Sequence, residues 1–406
     1  MVPKGWKLTS LGEICNGNLQ TGPFGSQLHA HEYVPVGIPV LMPKDLIGCR
    51  AKLADAAKIN QKKAQELKKH FLKTGDLLFS RRGDVARFAL IDEESEGSIC
   101  GTGCLKARPS DKHSSAFLAY FLQKDSIRKW LEQNAVGQTM PNMNTEILNE
   151  LPLMAASSKQ EEDRIAQILS TWYNAISVTE KLLTNSQLQK KALIQQLLTG
   201  KKRLLNENGG RFIGEWCTCT LSEVAHIIMG SSPKSEAYND NGLGLPLIQG
   251  NADIKCRVSC PRVYTSDITK ECSPGDILLS VRAPVGTVAL SQHKACIGRG
   301  ISAIKSKRKM SQSFLYQWFL WFEPKWCYLS QGSTFESINS DDIKTLKLSV
   351  PNFEEQQKIA TVLSAADDEI ATLEKKLACL KDEKKALMQQ LLTGKRRVKI
   401  DEAVAA

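Results

Sequence analysis

The chain has 406 residues, long enough for two to four units that each bury a core, and its apolar content is ordinary. It carries no apolar run long enough to span a bilayer, and MVPKGWKLTSLGEI at the start lacks a signal-peptide core, so a cytoplasmic location is expected. A net charge of +11 favours a polyanionic partner, nucleic acid before an anionic membrane. The twelve cysteines include no C-x-x-C pair, and six unpaired histidines add no zinc spacing, so reduced thiols and no metal site are expected.

Residues 1–155 read as a first α+β unit. Its opening loop, TGPFGSQLHAHEY (Thr21 to Tyr33), is rich in Gly, Ser and Pro and offers Thr21, Phe24, Ser26 and Gln27 for close approach to a ligand. QKKAQELKKHFLK (Gln61 to Lys73) reads as a phosphate-facing or solvated basic cluster. DLLFS reads as a strand entered by a Gly-Asp turn. It is followed by SRRGDVAR, with Arg81, Arg82 and Arg87 as candidates for bidentate contact with guanine. Helix is expected around Phe117 to Trp130, then a turn at GQTMPNMN offering Gln138 and Thr139.

Residues 156–204 form the first of two nearly identical segments. KKALIQQLLTGKKRL (Lys190 to Leu204) returns as KKALMQQLLTGKRRV (Lys384 to Val398), differing only at Ile194/Met388, Lys202/Arg396 and Leu204/Val398. Upstream, Glu161-x-x-Arg164-Ile165-Ala166 matches Glu355-x-x-Lys358-Ile359-Ala360 at the same offset. Apolar residues step by 4 and 3 through Ile165, Leu169, Trp172, Ile176, Leu183, Leu193 and Leu197. They do so again through Ile359, Leu363, Ile370, Leu373, Leu377, Leu380, Leu387 and Leu391. That spacing is a heptad seam with a lysine in the same slot of each copy. Gly200 and Gly394 read as helix C-caps followed by basic residues. Only Ser157 and Ser158 offer a cap to the first helix, and Asp367-Asp368 reads as a solvated face. About 40 residues of helix reach roughly 60 Å. Antiparallel pairing of the two seams would give a pseudo-twofold dumbbell, with the C-terminus returning near the N-terminus.

After a short polar linker, KKRLLNENG, residues 208–350 repeat the first unit and residues 351–398 repeat the first helix. MGSSPKSEAY replaces the Thr21 loop and offers Ser231, Ser232 and Lys234. SVRAPVGT replaces SRRGDVAR and offers Arg282, while Gly298-Arg299-Gly300 adds Arg299, and GSTFESIN adds Ser333 and Thr334. The scaffold is thus duplicated and the loops differ. LTGKKR lacks the upstream glycine and the Ser or Thr of a phosphate-binding loop, and no metalloprotease, hydrolase or amino-methyltransferase signature occurs, so no catalytic residue is assigned.

These features resemble the specificity subunit of type I restriction–modification systems (HsdS). The likeness rests on the twin ALIQQLLTGKKR and ALMQQLLTGKRR endings, the heptads, and the TGPFGSxL, GDLLFSR and GSTxxxIN motifs. It covers nearly the whole chain. One departure is LPLMAASSKQEED, which lacks the proline pair before the first helix, whereas the second keeps Val350-Pro351. The resemblance implies a noncatalytic subunit with two target recognition domains, each reading one half of a bipartite double-stranded DNA site. It also implies two modification (methyltransferase) subunits on the helices, with S-adenosylmethionine in those partners and no cofactor in this chain. Restriction (motor nuclease) subunits would join that core. The competing readings are a coiled-coil adaptor that binds only protein and a self-contained DNA-modifying enzyme.

Overall fold

The computed structural model describes residues 2–137, 141–329 and 337–399. The chain divides into two compact units, one of residues up to Thr179 together with those from Lys376, the other spanning Glu180–Lys375. No described helix is long and apolar enough to cross a membrane.

In the first unit the strand Leu77–Ser80 lies inside a six-stranded sheet and is buried along its whole length. The order is Leu19–Thr21, Cys104–Ala107, Leu77–Ser80, Phe88–Leu90, Cys49–Ala51, Leu46–Ile47. Side chains alternate across a strand, so Leu77 and Phe79 enter one core with Phe117, Leu118 and Ile165. Leu78 points the other way, into a second core with Leu41, Cys100 and Cys104. An apolar run that would leave a half-exposed strand insoluble therefore suits a strand covered on both faces. A smaller four-stranded sheet carries Tyr33–Val34, Ile38–Leu41, Ala57–Ile59 and Ile99–Cys100.

The second unit repeats this plan. Its six-stranded sheet centres on Ile301–Ser306 and Ile277–Ser280, with Ile277 and Leu279 facing Phe314, Trp318 and Ile359 and Leu278 facing Ile248 and Ile297. Its smaller sheet has five strands, the additional one being Glu271–Cys272. The helix expected around Phe117 to Trp130 is Ser115–Phe121 followed by Asp125–Asn134, and the second unit has Gln312–Phe322 in the corresponding place.

The two repeated segments form helices of 39 residues each, Lys159–Leu197 (the first rod) and Phe353–Leu391 (the second rod). Within the first unit, Ile165, Ala166 and Leu169 near the start of the first rod share a core with Leu387, Leu391 and Leu392 at the end of the second. Within the second unit, Ile359, Ala360 and Leu363 share a core with Leu193, Leu197 and Leu198. Start meets end in both, so the rods pair antiparallel. The heptad positions are the shielded ones. Ile165, Leu169, Ile176, Leu197, Ile359, Leu363 and Leu391 are buried, and Trp172, Leu183, Leu193, Ile370, Leu373, Leu377, Leu380 and Leu387 are half-buried between exposed neighbours.

The lysine of each seam meets an equivalent but different residue. Lys190 pairs with Asp367, which also accepts a hydrogen bond from Gln317 at 2.9 Å. Lys384 stands 3.3 Å from the ring centroid of Tyr173, which bonds Gln123 and packs on Tyr120. Asp367 keeps 39% of its side chain exposed while it pairs with the seam lysine, and Asp368 is exposed.

Both rods end in a left-handed glycine, with φ of +71° at Gly200 and +65° at Gly394. Each glycine also admits an indole. A Cβ on Gly200 would lie 3.2 Å from Trp216, and one on Gly394 3.1 Å from Trp6 and 2.7 Å from Pro3. One arginine after each glycine clamps a buried glutamate. Arg203 holds both oxygens of Glu355 at 2.7 and 2.6 Å, and Arg397 holds both oxygens of Glu161 at 2.5 and 2.9 Å. Arg397 also donates to the Lys4 carbonyl at 2.9 Å, which brings the end of the described chain beside its start. The next residues do the same job at the helix entries. The Ser114 amide donates to Glu162 and the Ser311 amide to Gln356, both at 2.8 Å. Ser158, one of the two expected caps, accepts from the Glu161 amide at 3.3 Å.

Candidate nucleic-acid interface

Four loops far apart in sequence meet at one end of the six-stranded sheet of the first unit. Thr21 ends the edge strand, where it pairs with Leu105. The next residue has to be glycine, because a Cβ on Gly22 would lie 1.8 Å from the Gly101 carbonyl oxygen. That close approach seats the Phe24–Gln27 turn on the Gly101–Gly103 turn. Gln27 closes its own turn by accepting from the Phe24 amide at 3.1 Å, leaving Phe24 58% exposed and Ser26 exposed. The Arg81 amide donates to the Gly103 carbonyl at 2.8 Å, the Met143 amide donates to the Arg81 carbonyl at 2.8 Å, and Arg82 forms an isolated bridge with Asn142. Ser80 Oγ donates to the Arg82 carbonyl at 2.9 Å and fixes the bend.

The second unit builds the same junction from other side chains. A Cβ on Gly230 would lie 2.2 Å from the Gly298 carbonyl oxygen. The Val281 amide donates to Gly300, the Ile338 amide donates to Val281, Arg282 bridges Ser337, and Ser280 Oγ donates to the Arg282 carbonyl. Ser231, Ser232, Lys234, Arg282 and Arg299 are all exposed there. The Ser231 carbonyl accepts from Thr269 Oγ1 at 2.5 Å and the Lys234 amide donates to Asp267 at 3.0 Å, so this loop is pinned by backbone contacts.

The candidates are not equal. Arg82 and Arg282 occupy the same position and are exposed. Arg87 is held by Asp84 at 3.7 Å and by the Pro43 carbonyl at 3.2 Å, beside a cavity of about 560 Å³ lined by Lys44, Cys49 and Arg128. Arg81 is half-buried, with its Nε shut away from solvent and unpartnered. Gln138, Thr139, Ser333 and Thr334 lie outside the described residues. Asn142 and Ser337, which pair with the two arginines, were legible as motif positions but not as partners. Gln249, whose carbonyl oxygen would lie 2.4 Å from a Cβ on Gly300, carried no signal because its loop lies far away in sequence. Among the described residues, no group of His, Cys, Asp and Glu is arranged to hold a metal ion.

His70 stands behind the first loop, only 3% exposed, with neither ring nitrogen in a hydrogen bond. Burial pulls its pKa down to about 4; the charges of Lys69 and Lys106 act in the same direction and the Thr21 backbone opposes them. The unfolded chain therefore binds a proton here that the folded chain refuses. The stability His70 contributes is complete above about pH 6.5 and is lost as pH falls toward 4. The expected result is a stability profile for His70→Leu that falls less between pH 6.5 and 4 than that of the parent. Parallel profiles in urea titrations would remove this assignment.

The sequence pattern of the type I restriction modification DNA specificity domain matches residues 3–189 and again 213–382. The chain belongs to this family. A chain named as the MjaX type I restriction enzyme specificity subunit of Methanocaldococcus jannaschii is 30% identical, over 98% of this chain and 95% of that one. The MjaVIII specificity subunit of the same organism is 25% identical over 70% of each chain. Among solved structures, the S subunit of a type I restriction–modification system from M. genitalium aligns with a TM-score of 0.62 at 17% identity, covering 95% of this chain and 96% of that one. The HsdS subunit of Thermoanaerobacter tengcongensis aligns at 0.50 and 24% identity, covering 97% and 98%. These likenesses place the doubled α+β unit with paired long helices in the specificity-subunit fold. The role of the chain is accordingly that of a noncatalytic specificity subunit, which works with DNA and with methyltransferase and restriction partners.

Proposed function

We propose that this specificity subunit reads a bipartite double-stranded DNA site in the cytoplasm, one half through the loop cluster of each unit. The observation that carries this is the same glycine-seated junction built twice around a shared arginine, Arg82 or Arg282, with different exposed side chains beside it: Phe24 and Ser26 in one unit, and Ser231, Lys234 and Arg299 in the other. One scaffold with two loop sets is what two unlike half-sites require.

The rods supply the second part of the reading. Lys191 and Lys385, Gln195 and Gln389, and Lys201 and Lys395 are equivalent exposed pairs on near-identical helix ends. A surface presented twice recruits two copies of one partner. Two methyltransferase subunits seated there would bring S-adenosylmethionine chemistry to the DNA, and restriction subunits would join that core. The assembled complex is expected to bind DNA with an affinity that declines steeply with salt. Arg82→Ala and Arg282→Ala should each relax recognition in a different half by about 1–3 kcal/mol. An effect of either variant on both halves, or methyl transfer by the chain alone, would contradict the proposal.

A further inference from the structure

The two units differ most beside their first loops. Between the equivalent strand ends Ile59 and Thr265 and the equivalent turn residues Lys73 and Ser273, the first unit carries the longer segment. It forms the helix Gln61–Glu66 and the turn Lys68–His70, and holds Lys62, Lys63, Lys68, Lys69 and Lys73 against one acid, Glu66. The second unit has Asp267, Lys270 and Glu271 in that place. We infer that this lysine element is a clamp on the DNA phosphate backbone present in the first unit alone. This rests on the reading that the adjoining loop meets DNA.

Its position supports that role. Ala64 and Leu67 share a core with Leu28, the residue that follows the Gln27 turn, and Lys63 is tied to Glu32 at 2.9 Å. The turn is anchored from below. Lys106, buried beside the edge strand, donates to the Lys69 carbonyl at 3.0 Å, and His70 is buried toward Thr21. With the backbone held inward, the side chains of Lys62, Lys68, Lys69 and Lys73 are left exposed, and none of them is ion-paired with an acid among the described contacts. Four exposed ammonium groups beside a reading loop suit phosphates, which need charge and reach and no fixed fork geometry.

The test uses the assembled complex with Lys62, Lys68, Lys69 and Lys73 all changed to glutamine. Because these side chains are exposed, folding is expected to survive, and thermal unfolding checks it. The plot of log affinity against log salt should become shallower by about 3 to 4, near 0.9 for each lost phosphate contact. Phosphate-ethylation interference should disappear only in the half-site read by the first unit, and the recognised bases should not change. An unchanged slope with specific binding intact overturns the clamp, and so does a change in the recognised bases, which would make these lysines base readers. If the unaltered complex shows no salt-dependent DNA binding, the proposed function itself fails.

Discussion

Arg203→Ala is expected to destabilise the second unit by about 3 kcal/mol, near the lower end of what removing one partner of a buried ion pair costs. Glu355 has no exposed surface, and Arg203 satisfies both of its oxygens while donating to the Gly214 carbonyl at 2.8 Å. Without the guanidinium a carboxylate is stranded between a rod start and a rod end. The equivalent Arg397→Ala should cost the first unit less. Glu161 is as deeply buried, at 1% exposed, but the Arg397 side chain is 45% exposed against 22% for Arg203, so water replaces more of what is lost. Replacing Arg203 and Glu355 together by Met and Leu should recover much of the loss, because no charge is then left unpaired. Urea unfolding followed through tryptophan emission reads these changes, since Trp216 packs on Gly200 in the affected unit. A loss below about 0.5 kcal/mol for Arg203→Ala would place the clamp among weak surface pairs.

The 4–3 spacing of Ile359, Leu363, Ile370 and Leu373 marks the seam directly, since a helix repeats its faces with nearly that period. The recurrence of SRRGDVAR as SVRAPVGT likewise identifies which loops vary on a common frame. What a local pattern cannot hold is a contact between distant residues. Arg203 and Arg397 read as cations completing a helix end, yet each is bound to a glutamate more than a hundred positions away. Both members of each pair do recur at one offset, which is the trace they leave in the sequence. Asp367 reads as a solvated acid and is partly so, but its pairing with Lys190 of the other rod is a long-range contact that no local pattern holds. Arg87 reads as free until Asp84 and the Pro43 carbonyl are placed beside it. Gly22 and Gly230 read as turn residues, whereas they are fixed by carbonyl oxygens of a different turn.

Lengthening both rods by one heptad, after Thr179 and after Lys375, is expected to change the DNA spacer without changing either half. The insertions fall where the chain divides between its units, so the antiparallel contacts within each unit keep their partners. Seven residues add about 10 Å of helix, close to 3 base pairs of duplex. A heptad also keeps the seam facing its partner, whereas four residues would turn it aside. Three base pairs turn the duplex by more than a quarter of a helical turn, so weaker binding should accompany the longer spacer. The decisive measurement is a map of modified bases in DNA from cells that carry the partner subunits and either the parent or the lengthened chain. The account predicts one bipartite motif for the parent, and for the lengthened chain the same two halves with about three more unspecified bases between them. A contiguous motif, or an unchanged spacer in the lengthened chain, would contradict it.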